Sequence, residues 1–317
     1  MEEMTGLDTR FLYSETPTVH MNTIKIVVVD VSSRSEALTP AVFRDLLSDR
    51  LDRMPALRRR VVPAPYHLGR PVWIDDPDFD LDAHISWRRA PEPGGRRELA
   101  AIAADVLAVP LDRDRPLWDM TVVDGLDGGQ VAVVVKLHHA LADGGSAVAM
   151  LENAFMADAG SAVVEAYRPE PVPEGRELLR LAARSQADQL RSVPSLARRT
   201  AAGLRAARAA SRETGNKPTA PFSGPKASFN VSLTPDRTFA MTALPIADLL
   251  AIKTSVGTTL NGVFLGLCAG ALRRYLVDRG ELPDTSLVAS VPVGTSTVSY
   301  THLTLPTKIV EWGGGGG

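Results

Sequence analysis

The stretch from Leu117 to Gly145, LWDMTVVDGLDGGQVAVVVKLHHALADGG, constrains the fold of this chain more than any other. Two apolar runs rich in β-branched residues flank Asp127-Gly128-Gly129, residue types that supply the positive φ of a tight turn, so the segment predicts a β-hairpin. After Asp143-Gly144-Gly145 the pattern changes period: Val148, Leu151, Ala154 and Phe155 recur at three- and four-residue spacing, which predicts a helix. His138 and His139, two of only six histidines, therefore stand where a strand gives way to a helix.

The same alternation extends to both sides. Asn22 to Val31 is β-branched and ends in a Ser-Ser-Arg-Ser turn, as a buried strand does. Thr39 and Pro40 then open a helix carrying Phe43, Leu46, Leu47 and Leu51 on one side. Short strands are expected near Val72–Ile74 and His84–Trp87, and a helix over about Arg96–Leu107 with Leu99, Ile102, Val106 and Leu107 facing the core. Composition shifts near residue 158: YRPEPVPEG reads as a linker, and a basic, Ala- and Leu-rich segment follows with Arg180, Arg184, Arg191, Arg198, Arg199, Arg205 and Arg208. Past a second Pro/Gly region, strand-helix alternation resumes: FAMTAL as a strand, a helix from Pro245, a longer helix over about Thr258–Asp278, and LVASVPV as a strand.

The expected organisation is an N-terminal α/β lobe over residues 1–157, a basic crossover over 158–226, and the start of a second lobe over 227–298. That lobe is short, with material for two or three strands. Residues 299–317, SYTHLTLPTK with a terminal glycine run, read as a non-native tail and stand outside the fold reasoning.

A histidine at a strand end can present its imidazole to a cleft, and an unperturbed pKa near 6.5 suits proton abstraction at neutral pH. Side chains alternate along a strand, so of two adjacent histidines one enters the cleft and the other packs. Asp143 has two readings, as the N-cap of the helix starting at Gly144 or as a charged partner in catalysis. His138, His139 and Asp143 are not the helical pair of histidines at i, i+4 found in zinc enzymes, and no third nitrogen or sulfur ligand is nearby in sequence, so no metal is expected. Ser146 and Ser255 lie in no G-x-S-x-G elbow, which argues against a serine nucleophile. Cys268, the single cysteine, excludes an internal disulfide and points to a reducing compartment.

HHALADG resembles the H-H-x-x-x-D-G motif of coenzyme A-dependent acyltransferases and peptide-synthetase condensation domains. Three further stretches narrow the likeness: GLDTRFLYSETPTVHMN, DRPLWDM with Pro116, Leu117 and Trp118, and TLNGVFLGLCAGALRRYLVDRGELPD. Together they resemble the bacterial wax ester synthase/diacylglycerol acyltransferase family from Met4 to Val293. The resemblance implies a two-lobed, chloramphenicol acetyltransferase-like α/β fold with the second lobe truncated. It also implies long-chain acyl-CoA as a substrate rather than a cofactor, diacylglycerol or a fatty alcohol as acceptor, and no cofactor. His139 would be the general base, with Asp143 structural and Gly144 leaving backbone room beside it. The family's second-lobe Asn-Asp is Asn261-Gly262 here, so a carboxylate is missing. Asn261 is either a hydrogen-bonding group at the lobe interface or a polar residue near the start of a buried helix.

A net charge of −2 and a pI near 6.3 give no field that would gather nucleic acid, and the basic segment lacks interleaved aromatics. Val256 to Leu272 is uncharged but short for a membrane span, so a buried core helix is expected, with Gly262, Gly266 and Gly270 suited to close packing. The arginine-rich helix has two readings, covering a core or lying on anionic lipid with Leu178, Leu179, Leu181 and Leu190 toward the acyl boundary. No signal peptide is recognisable. The expected location is cytoplasmic, peripheral to the inner membrane surface or lipid droplets. Two rivals to acyl transfer from CoA remain: a carrier-protein thioester as donor, and a lipid-binding or droplet-surface protein without catalysis.

Overall fold

The computed structural model describes residues 1–31, 37–142, 144–155, 167–214, 224–291 and 308–311. The predicted hairpin forms the centre of a four-stranded sheet. Strand β6 (Trp118–Asp124) runs antiparallel to β7 (Gln130–His138), and the turn at Asp127–Gly129 holds Gly128 and Gly129 at φ of 68° and 69°. On the far side of β7, β2 (Asn22–Asp30) pairs antiparallel in the register Asn22 to His138. On the far side of β6, β5 (Ile85–Arg89) pairs parallel. A parallel pair needs a crossover, and α3 (Arg96–Ala108) supplies it.

Strand β7 is buried from Val131 onward, so each face of the sheet needs cover. One face packs Val131, Val133, Val135, Leu137 and Met120 against α2 (Pro40–Ser48), through Phe43 and Leu47, and against α4 (Gly144–Phe155), through Ala147, Met150 and Ala154. The other packs Ala132, Val134 and Val123 against Leu99, Ile102 and Val106 of α3. Lys136 points to that second face and is buried, yet its Nζ donates to the carbonyls of Val106 and Val109 at 3.2 Å and meets Asp119 Oδ2 at 3.2 Å. The cation thereby satisfies carbonyls at the C-terminal end of α3, where the helix dipole favours positive charge.

A second sheet of three strands, in the order β1 (Glu2–Glu3), β4 (Val72–Asp75), β3 (Arg59–Val62), packs Val62, Val72 and Ile74 against Leu178 at the start of α5 (Gly175–Thr214). Leu181 packs on the same cluster, so this end of the basic helix covers a core. Helix α1 (Gly6–Tyr13), capped by Thr5, buries Leu12 beside Leu117 and Ala140.

The chain divides into two compact units, Met1–Ser192 with Leu233–Met241, and Val193–Ser232 with Thr242–Gly317. The division falls within the basic segment. The second unit holds α6 (Ile246–Val256), α7 (Leu260–Asp278) and β8 (Val288–Val291), which pairs antiparallel with β9 (Lys308–Glu311) of the segment 299–317.

Two expectations change. FAMTAL joins no ladder among the described residues, and Met241 instead packs its side chain against the cluster of Leu99 and Ile102. Helix α7 is not a buried core helix: Val263 and Leu276 are its buried residues, while Phe264, Leu267 and Leu272 are exposed. Its close-packing glycines are open as well, since a Cβ at Gly266 or Gly270 would meet nothing within 4 Å. No single helix among the described residues is long and apolar enough to cross a membrane; α6 and α7 reach that composition only as a pair bent by 99°.

Candidate active site

The hairpin register decides what surrounds the histidines. Trp118 pairs with Leu137, so Leu117, one step before β6, faces His138, one step further along β7, and the Leu117 carbonyl accepts the His138 N–H at 3.1 Å. Leu117 is buried against Ala140 and Leu12. Trp118 is fully buried, donates from Nε1 to Leu57 O at 2.7 Å, and stacks on His84 with ring centroids 4.5 Å apart. Pro116 accepts the Trp118 N–H at 2.8 Å, which turns the chain into β6. The Pro-Leu-Trp triplet thus anchors the strand end against which His138 is placed.

His138 closes a turn with its own ring. Its Nδ1 accepts the Ala140 N–H at 3.0 Å and its carbonyl accepts the Leu141 N–H at 2.9 Å. A backbone N–H can only donate, so Nδ1 is unprotonated and the ring proton sits on Nε2. Burial, then the charges of Arg113 and His139, push the His138 pKa down to about 4, which keeps the ring neutral. His138 is the packed member of the pair.

His139 is the more accessible member. Its N–H donates to Met21 O at 2.9 Å, and its ring lies stacked on Phe11, with centroids 4.9 Å apart and planes at 20°. Met21 has a φ of +45°, in the left-handed region that a β-carbon disfavours. Backbone held there beside a candidate base fits the tendency of strain to collect at working sites. The bond from His139 to Met21 also makes Asn22 and His138 a non-hydrogen-bonded antiparallel pair, the closer of the two spacings. Both polar atoms of the Asn22 amide are buried, and among the described residues neither has a hydrogen-bond partner.

Asp143 lies outside the described residues. Gly144 opens α4, as expected, but its immediate surroundings are not described. Asn261 is exposed near the start of α7, where Thr259 caps the helix by accepting the Gly262 N–H at 3.0 Å. Among the described residues no group of three His, Cys, Asp or Glu side chains is placed to hold a metal ion.

Sequence reasoning passed over Phe11, Glu15, Met21 and Arg113. Glu15 and Arg113 are paired, with Arg113 Nε donating to Glu15 Oε2 at 2.9 Å, and that oxygen lies 3.8 Å from His138 Nε2. Phe11 and Glu15 come from α1 and the residues after it, nearly a hundred positions before Arg113, so spacing along the chain carried no sign of them.

A family model described as the wax ester synthase/diacylglycerol acyltransferase catalytic domain matches residues 4–264. Two Mycobacterium tuberculosis proteins provisionally named as diacylglycerol O-acyltransferases are similar. One is 35% identical over 93% of this chain and 64% of its own length, the other 37% identical over 92% and 62%. The chain therefore spans under two thirds of these relatives. Among solved structures, the wax ester synthase/diacylglycerol acyltransferase from Marinobacter aquaeolei VT8 matches with a TM-score of 0.63 and 26% identity, over 92% of this chain and 65% of that one. The first condensation domain of the calcium-dependent antibiotic synthetase matches with a TM-score of 0.55 at 16% identity, over 92% and 64%, a likeness of fold alone. The expected acyltransferase-like α/β fold is the fold these neighbours share with the chain.

Proposed function

The chain belongs to the wax ester synthase/diacylglycerol acyltransferase family, and from that premise we propose that it is built to transfer a long-chain acyl group from acyl-CoA to the hydroxyl of diacylglycerol or a fatty alcohol, with His139 as general base. The observation that carries this is the asymmetry of the histidine pair. His138 is sealed, neutral and committed to a turn, whereas His139, partly exposed, is fixed through its backbone by Met21 and across its ring by Phe11. A base must be oriented before the substrate arrives, and a stacked ring on a pinned backbone is oriented.

In the proposed step His139 removes the proton from the acceptor hydroxyl as its oxygen bonds to the thioester carbonyl carbon. Collapse of the tetrahedral adduct breaks the C–S bond, and the imidazolium returns the proton to the departing CoA thiolate. An ester and free CoA result, with no acyl-enzyme and no cofactor. Asp143 and Gly144 are assigned a structural part, as cap and as backbone room at the start of α4, and Asn261 a hydrogen-bonding part.

Substrates of this kind sit in or on lipid, so we assign the chain to the cytoplasmic face of a membrane or to a lipid-droplet surface. Supporting that location, Leu190, Val193, Leu196 and Leu204 are exposed along α5 among Arg191, Arg198 and Arg205. Sedimentation with anionic vesicles that weakens as salt is raised is the expected behaviour.

The decisive assay follows thiol release from palmitoyl-CoA with and without diacylglycerol or hexadecanol. Acceptor-dependent release that His139→Ala abolishes and His138→Asn preserves in part is expected. Release that is indifferent to acceptor, or to His139→Ala, overturns the reading.

A further inference from the structure

The histidine pair rests on a charged pair that lies outside the H-H-x-x-x-D-G motif. Glu15 is 10% exposed on its side chain, and its Oε2 accepts from Arg113 Nε at 2.9 Å and again from Nη2 of the same guanidinium. Both donors reach that one oxygen, which anchors the carboxylate at Oε2 and leaves it able to pivot there. Arg113 Nη2 also donates to Leu12 O at 2.8 Å, beside the Phe11 that stacks on His139. One guanidinium thus ties the end of α1 to the carboxylate beneath the histidines.

That carboxylate faces an orphaned donor. His138 Nε2 carries the ring proton, is buried, and among the described residues has no hydrogen-bond partner. A buried N–H without an acceptor is destabilising, so such an atom marks where a partner belongs. Glu15 Oε2 lies 3.8 Å away, too close for a water to stand between and about 1 Å beyond a hydrogen bond. A small rotation of Glu15 closes the distance.

We propose that Glu15, clamped by Arg113, is the positioning residue of the histidine pair: its carboxylate accepts the Nε2–H of His138, which holds the ring in the tautomer whose Nδ1 takes the Ala140 N–H and so fixes the turn presenting His139. Glu15 does not touch substrate. It acts through His138, and its effect on turnover rests on the acyl-transfer reading above. Burial first, and then the positive charge of Arg113, keep a ring this close to Glu15 neutral.

The test uses the whole chain labelled with 15N-histidine, its six histidines assigned by single substitutions. Wild type and Glu15→Gln, which keeps an acceptor oxygen, are expected to show His138 as the Nε2–H tautomer with its ring proton slow to exchange. Glu15→Ala is expected to lose that protection and mix tautomers, lowering kcat roughly tenfold with KM for palmitoyl-CoA little changed. If Glu15→Ala fails to fold, Arg113→Met, which frees the carboxylate, is expected to give the same spectral loss. A His138 signal and kcat unchanged in Glu15→Ala overturn the proposal, as does a folded Glu15→Gln as impaired as the alanine variant. Absence of acyl transfer in wild type would overturn the functional reading alone, since the tautomer measurement needs no turnover.

Discussion

Phe11 lies flat against His139, the ring centroids 4.9 Å apart and the planes at 20°, although the two residues are far apart in sequence. An imidazole free to turn about its χ angles spends much of its time misdirected, and a stacked neighbour removes that freedom. Phe11→Leu fills most of the volume without offering a flat face. Its expected effect is a kcat roughly tenfold lower with the acyl-CoA KM unchanged, while Phe11→Tyr retains most activity. Steady-state kinetics on both variants check this, and equal losses in the two would show that packing rather than stacking matters.

His138 makes stability depend on acid in a definite direction. In the unfolded chain its imidazole binds a proton near pH 6.5, whereas in the folded chain it does so only at about 4. Between those values the unfolded state binds more protons, so stability rises with pH. The contribution is fully present above about pH 6.5 and is lost as pH falls toward 4, at most ~3 kcal/mol in all. Buried His84, whose pKa burial also lowers, adds to the same trend. His138→Asn keeps a side-chain oxygen for the Ala140 N–H and removes the titration. Urea unfolding midpoints from pH 4 to 7 are expected to vary less in that variant than in wild type.

What the sequence discloses about this site follows from distance along the chain. The hairpin, the helix after Gly144 and the junction between them are local, and turn chemistry with a change of hydrophobic period makes them legible. Even the approach of Leu117 to His138 follows once the turn at Asp127–Gly129 fixes the register. The family resemblance assigns roles to the histidines, but neither it nor periodicity indicates that residues 11–15 and 113 fold beneath them. Such contacts depend on tertiary packing of α1, a short helix that carries no strong stripe. The failures have the same origin. An apolar, glycine-spaced segment such as α7 reads as buried, yet the residues described around it leave most of it exposed.

The departure at Asn261-Gly262 has a local physical counterpart. A Cβ built on Gly262 would stand 2.3 Å from Thr258 Oγ1 and 3.4 Å from its Cβ, so the threonine side chain occupies the space a side chain at 262 needs. Thr259 meanwhile caps the helix by bonding the Gly262 N–H, which fixes the backbone there. Restoring a carboxylate by Gly262→Asp therefore forces Thr258 to another rotamer or shifts the first turn of α7, at an expected cost of about 1–3 kcal/mol. With Thr258→Ala in the same chain the obstruction is gone, and an acidic residue in the first helical turn becomes favourable by about 0.3–1 kcal/mol. A double-mutant cycle read by urea unfolding is expected to show coupling of at least 1 kcal/mol between the two positions, within the range for residues in contact. Additive effects would mean that Thr258 yields its place freely and that glycine at 262 answers to no steric demand.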